Sequence, residues 1–70
     1  MRESLLLEIN GETRSVPPIS NIRELLQFLG IEPVRIAVEV NHKIVRRKDW
    51  EATPLGNTDK VEIVQFVGGG

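Results

Sequence analysis

Only one segment of this chain repeats its apolar residues at helical spacing, and it is bounded at both ends. Ile22, Leu25, Leu26 and Leu29 fall at i, i+3, i+4 and i+7, a single stripe. Asn21 precedes them as an N-cap, and Glu24 three residues later completes an arrangement like a capping box. Gly30 stands where a C′ glycine stops a helix, and Pro33 keeps the helix from resuming. A single short helix cannot bury its stripe alone. It needs a sheet to lie on, and the rest of the chain supplies one.

The flanking segments alternate with a period of two. In Ser4–Ile9, Leu5, Leu7 and Ile9 share one face while Ser4, Leu6 and Glu8 share the other. Asn10-Gly11 is a hairpin signal, Thr13–Val16 is the returning strand, and Pro17-Pro18 ends it. After the helix, Arg35–Val40 sends Ile36, Val38 and Val40 one way and Arg35, Ala37 and Glu39 the other. Asn41-His42-Lys43 turns into a short strand at Ile44-Val45. Arg46–Thr58 is polar and irregular, with Trp50 and Leu55 as apolar anchors, and Gly56–Asp59 is a turn. Lys60–Val67 closes the pattern, with Val61, Ile63, Gln65 and Val67 on one face and Glu62, Val64 and Phe66 on the other. The expected fold is α+β: a mixed sheet of four to five strands in β-β-α-β-β-β order, with one main helix on one face. Residues 1–67 form one domain, followed by a flexible glycine tail at 68–70.

Size and charge remove several functions. A chain of 70 residues buries only about 60% of its unfolded surface, which leaves little room for an enclosed substrate pocket. The net charge of −1 argues against nucleic-acid binding, which needs a basic surface. Cysteine is absent, so disulfides, thiolate metal sites and a cysteine nucleophile are excluded. No apolar run approaches the roughly 18 residues of a membrane span, and the start has no signal-peptide pattern. No nucleophile, metal cluster or phosphate loop marks a self-sufficient enzyme. A cytoplasmic location is expected.

The last strand runs without a linker into Gly68-Gly69-Gly70. Glycine has no Cβ, so such a tail is thin enough to enter a narrow channel in another protein. It would present a carboxylate, ionised at neutral pH, with no side chain crowding it. A carboxylate is a poor acyl donor until a nucleotide activates it. Once adenylated, it can accept sulfur or an amine.

The chain resembles the ubiquitin-like, β-grasp sulfur carriers, most closely the ThiS-like carriers of thiamine biosynthesis. The resemblance is carried by Leu5–Gly11, Ile22–Leu26, Ile36–Asn41, Ile44-Val45 with Arg46 or Arg47 and Trp50, and Asp59–Gly70. Its specific parts are Asn41 after the middle strand, the arginine and Trp50 that follow, and the closing strand into glycines. The resemblance implies that an E1-like (ThiF-like) adenylyltransferase uses ATP to adenylate Gly70. A persulfide protein then supplies sulfur, and the resulting thiocarboxylate serves a ThiG-like thiazole synthase. Gly69 completes the family's diglycine and Gly68 adds a third glycine. The carrier itself is implied to bind no cofactor. Where the family often has Gly-Asp before the last strand, this chain has Thr58-Asp59, with Gly56-Asn57 expected to supply the flexible turn positions. A small subunit of molybdopterin synthase, or a protein modifier that joins its terminal glycine to a lysine, would show much the same pattern. An inert binding module is a further reading.

Among other residues, Leu6, Val64 and Phe66 are expected on the uncovered face of the sheet with Ala37. There they would form an apolar patch that docks the activating enzyme and thiazole synthase. Arg46-Arg47-Lys48 reads as a solvated turn, His42 as a turn residue without a second metal ligand, and Trp50 as a cap on one edge of the core.

Overall fold

In the computed structural model, which describes residues 3–67, the order is β1 (Leu5–Ile9), β2 (Glu12–Val16), α1 (Ile22–Leu29), β3 (Ile36–Val40), β4 (Lys43–Val45) and β5 (Lys60–Gln65). A 3-10 turn at Arg47–Asp49 lies in the stretch read from sequence as irregular. The tail at 68–70 lies outside the described residues.

The five strands form one mixed sheet in the order β2-β1-β5-β3-β4. β1 pairs antiparallel with β2 and parallel with β5, while β3 pairs antiparallel with both β4 and β5. The last strand in sequence is therefore the middle strand of the sheet. This is the ubiquitin-like β-grasp arrangement.

Local chemistry explains the helix. The Asn21 side chain accepts from Glu24 N–H at 2.9 Å, and Glu24 Oε1 accepts from Ser20 N–H at 2.6 Å. These two bonds satisfy donors that a helix start leaves free. Gly30 ends the helix at φ 72°, donating to Gln27 and Leu26 carbonyls. Ile22, Leu25 and Leu26 are buried with Leu7, Ile9, Val16, Val38 and Val61, the inward residues of four strands. Trp50 joins the same core at 2% exposure, its indole N–H donating to the Val45 carbonyl at 3.0 Å. It caps the core edge as expected.

The boundaries differ from expectation in small ways. β5 ends at Gln65 rather than Val67, although Phe66 N–H still donates to Arg35 O at 2.7 Å. Arg35 itself is at φ 58°, so β3 starts one residue later, at Ile36. The flexible turn position before β5 is also displaced. Thr58 takes the left-handed conformation, at φ 70°, and Gly56 does not. The residue standing in place of the family's glycine thus adopts a glycine conformation.

Candidate functional site

β5 is held in the middle of the sheet by side chains as well as by main chain. On the β3 side, Asn41 N–H donates to Lys60 O at 2.7 Å, and Asn41 Oδ1 accepts from Lys60 N–H at 3.0 Å. Asn41 Nδ2 also donates to Asp59 Oδ1 at 3.1 Å, while Asp59 Oδ2 accepts from Gly56 N–H at 2.8 Å. On the β1 side, Asn10 Oδ1 accepts from Ile63 N–H at 2.7 Å and Nδ2 donates to Ile63 O at 3.3 Å. One primary amide thus replaces a missing strand residue and satisfies both main-chain groups of Ile63. Both asparagines sit in left-handed turns, at φ 49° and 52°, which Asn tolerates better than most residues. Asn57 similarly accepts from Leu6 N–H at 2.9 Å, tying the start of β1 to the turn before β5.

The outward face of the sheet carries the candidate docking residues. Leu6, Val64 and Phe66 are all about half exposed, at 51%, 50% and 56%. The register separates them, which corrects the expectation of one patch. Glu8 pairs with Lys60, and Thr58 N–H donates to Leu6 O at 2.7 Å, so Leu6 lies beside Thr58. Val64 is six residues further along β5, roughly 20 Å at the usual rise per strand residue. Lys60 and Glu62 stand between them, with Glu39 directly across from Glu62. Leu6 instead borders a shallow cleft of about 270 Å³ with Leu7, Glu8, Thr13, Thr58 and Lys60. Val64 sits across from Ala37, and Phe66 follows beside Arg35.

Sequence reasoning missed Ile44, 72% exposed and paired with Glu39 on this same face. The alternation that sends Val45 inward would have placed it there. It also missed Asn10 and Asn41 as clamps. Arg46-Arg47-Lys48 is exposed, as read, but Arg47 additionally lies over the Trp50 ring at 6.0 Å. His42 is an exposed turn residue at φ 70°. No group of potential metal ligands occurs among the described residues, and no helix there is long and apolar enough to cross a membrane. Gly68, Gly69 and Gly70 lie outside the described residues.

This arrangement holds a strand rather than a substrate. In sequence, the fixed β5 leads straight to three glycines.

Comparison with known proteins places the chain among relatives. The pattern of the ThiS family matches residues 7–70. A crystal structure of the thiamine biosynthesis protein ThiS from Geobacter metallireducens superposes with a TM-score of 0.80 at 32% identity, covering 94% of this chain and all of that one. The sulfur carrier protein ThiS of Bacillus subtilis is 32% identical over 66 residues, 93% of this chain and 100% of that protein. A thiazole synthase of Paramagnetospirillum magneticum is 39% identical over 64 residues, 91% of this chain. The chain spans only 20% of that synthase's length.

Proposed function

The chain belongs to the ThiS family of sulfur carriers in thiamine biosynthesis, and on that premise we propose that its Gly70 carboxylate is the group that carries the sulfur. An E1-like adenylyltransferase transfers AMP from ATP to the carboxylate and releases pyrophosphate. The terminal sulfur of a cysteine-derived persulfide displaces AMP to give an acyl disulfide. A second thiol, supplied by a partner because this chain has no cysteine, cleaves the S–S bond, forming a disulfide with the donor cysteine and releasing the carrier as a thiocarboxylate. A thiazole synthase takes that sulfur. Support for this acceptor comes from the thiazole synthases that contain a stretch similar to this chain. The setting is cytoplasmic, and the carrier supplies a positioned acyl group while its partners supply catalysis and bind ATP.

The observation that carries this reading is the placement of β5. The strand is central, clamped on both sides near its start, and in sequence it runs directly into Gly68-Gly69-Gly70. A partner gripping the outward face near Val64 and Phe66 would stand next to the tail it must receive. Leu6, about 20 Å away along the sheet, would serve a separate contact at the far end of that face.

Thiol alkylation followed by mass analysis of the C-terminal peptide tests the proposal. The chain has no cysteine, so the reagent should label Gly70 after incubation with ATP, the adenylyltransferase, a persulfide donor and a small-molecule thiol that is removed before labelling. Localising the label separates sulfur on Gly70 from oxidation of Met1, which gives nearly the same mass gain. An unlabelled tail under those conditions would defeat the proposal.

A further inference from the structure

The central strand is paired unequally along its length. Its even-numbered residues form the rungs to β3: Lys60 O accepts from Asn41, Phe66 N–H donates to Arg35, and Glu62 and Val64 pair in the same phase. The odd-numbered residues therefore turn their main-chain N–H and C=O toward β1. Val61 O is met there by Asn10 N–H at 2.9 Å, and Ile63 by the Asn10 side chain. β1 stops at Ile9 and Asn10 already begins the turn. The main-chain groups of Gln65 that point this way meet no partner among the described residues, and Val67 follows two residues later, in the same phase of the alternation. Gln65 is exposed, and Val67 is 89% exposed.

This open edge lies next to the reacting end of the chain. Gly70 is three residues beyond Val67, and three extended residues reach only about 10 Å. An enzyme that adenylates Gly70 must bring its surface within that reach of the edge. We propose that the adenylyltransferase adds an extended segment of its own main chain to β5, pairing with Gln65 and Val67. The inference rests on Gly70 being the adenylated residue. Strand addition draws affinity from main-chain bonds, and side chains beside the strand give selectivity. Val64, just before the paired residues, and Phe66, between them, are exposed and placed for that second task. Two edge residues are too few to hold a second copy of the chain by themselves. An enzyme also holds the tail, so it needs only a short ladder.

The test removes one donor from the edge. The Gln65 N–H forms no rung to β3, so Gln65→Pro places its ring on the open side and leaves Val64 in extended backbone, which a residue before proline favours. The expected variant unfolds near the wild-type midpoint. Its KM in adenylyltransferase-catalysed ATP–pyrophosphate exchange rises roughly tenfold, the scale of one lost interfacial hydrogen bond. Gln65→Ala, which keeps the N–H, should leave KM unchanged. Should proline disturb the strand, a synthetic chain with an ester in place of the Gln65 amide removes the same donor and should give the same rise. A wild-type KM in folded Gln65→Pro or in the ester chain would overturn the inference. So would sedimentation showing a wild-type dimer that Gln65→Pro separates, since a second copy would then occupy the edge. Wild-type carrier is assayed first: if it supports no exchange, the failure belongs to the Gly70 reading and takes this inference with it.

Discussion

The two ends of β5 are built on opposite terms. From Asp59 to Ile63 the strand is gripped from both sides, by Asn41 and β3 on one and by β1 and Asn10 on the other. From Gln65 to Val67 the chain is held on the β3 side alone, with its side chains exposed. The difference bears on the proposed function, which sets two demands. An acyl group is useful to an enzyme only if its position is defined, which requires a fixed base. It is reachable only if the last stretch is uncovered. Under that proposal, dividing the tasks along one strand would meet both demands.

The contrast can be broken first at the gripped end. Asn41→Ala removes two side-chain hydrogen bonds and leaves alanine at φ 52°. Stability should fall by about 2 kcal/mol, read from urea unfolding. A loss below about 0.5 kcal/mol would mean that solvent replaces the clamp. A smaller change of opposite sign is expected one turn away. Thr58 holds a β-branched side chain at φ 70°. Thr58→Gly should stabilise the fold by about 1 kcal/mol, even after the greater unfolded-state freedom of glycine is counted. An unchanged or lowered midpoint would show that the Thr58 hydroxyl, which donates to the Asn57 carbonyl, offsets the strain. The smallest effect on folding should come at the open end. Phe66→Ala should shift stability by less than about 0.5 kcal/mol, as exposed positions do. Its affinity for the adenylyltransferase, measured by titration calorimetry, should nevertheless drop by about tenfold. Unaltered affinity would remove Phe66 from the docking surface.

Features set by neighbours in sequence were legible before the structure was known. The helix between Asn21 and Gly30 follows from a cap, a stripe and a stop within ten residues, and the strands follow from alternation. Features set by distant partners were not. Asn10 looked fully explained by its hairpin, yet its side chain serves Ile63, 53 positions away. Leu6 and Val64 share a face by parity, but only the parallel register of β1 with β5 reveals how far apart they lie. At Thr58 the family's glycine was a usable signal. Gly56 was expected to carry the flexible position, but the chain places its left-handed residue at Thr58.

The placement of β5 also governs when the carrier comes into being. Among the described residues the sheet consists of two hairpin-like pairs, β2 with β1 and β3 with β4, and β5 is the strand that touches both. Its parallel partner lies about fifty positions earlier in the chain, and such distant pairings form late because loop closure must precede them. The strand that precedes the glycines in sequence is thus the one whose docking joins the two halves. If Gly70 is adenylated as proposed, an activating enzyme that docks on β5 would find the strand in place only in folded molecules, and would spend its ATP on those alone.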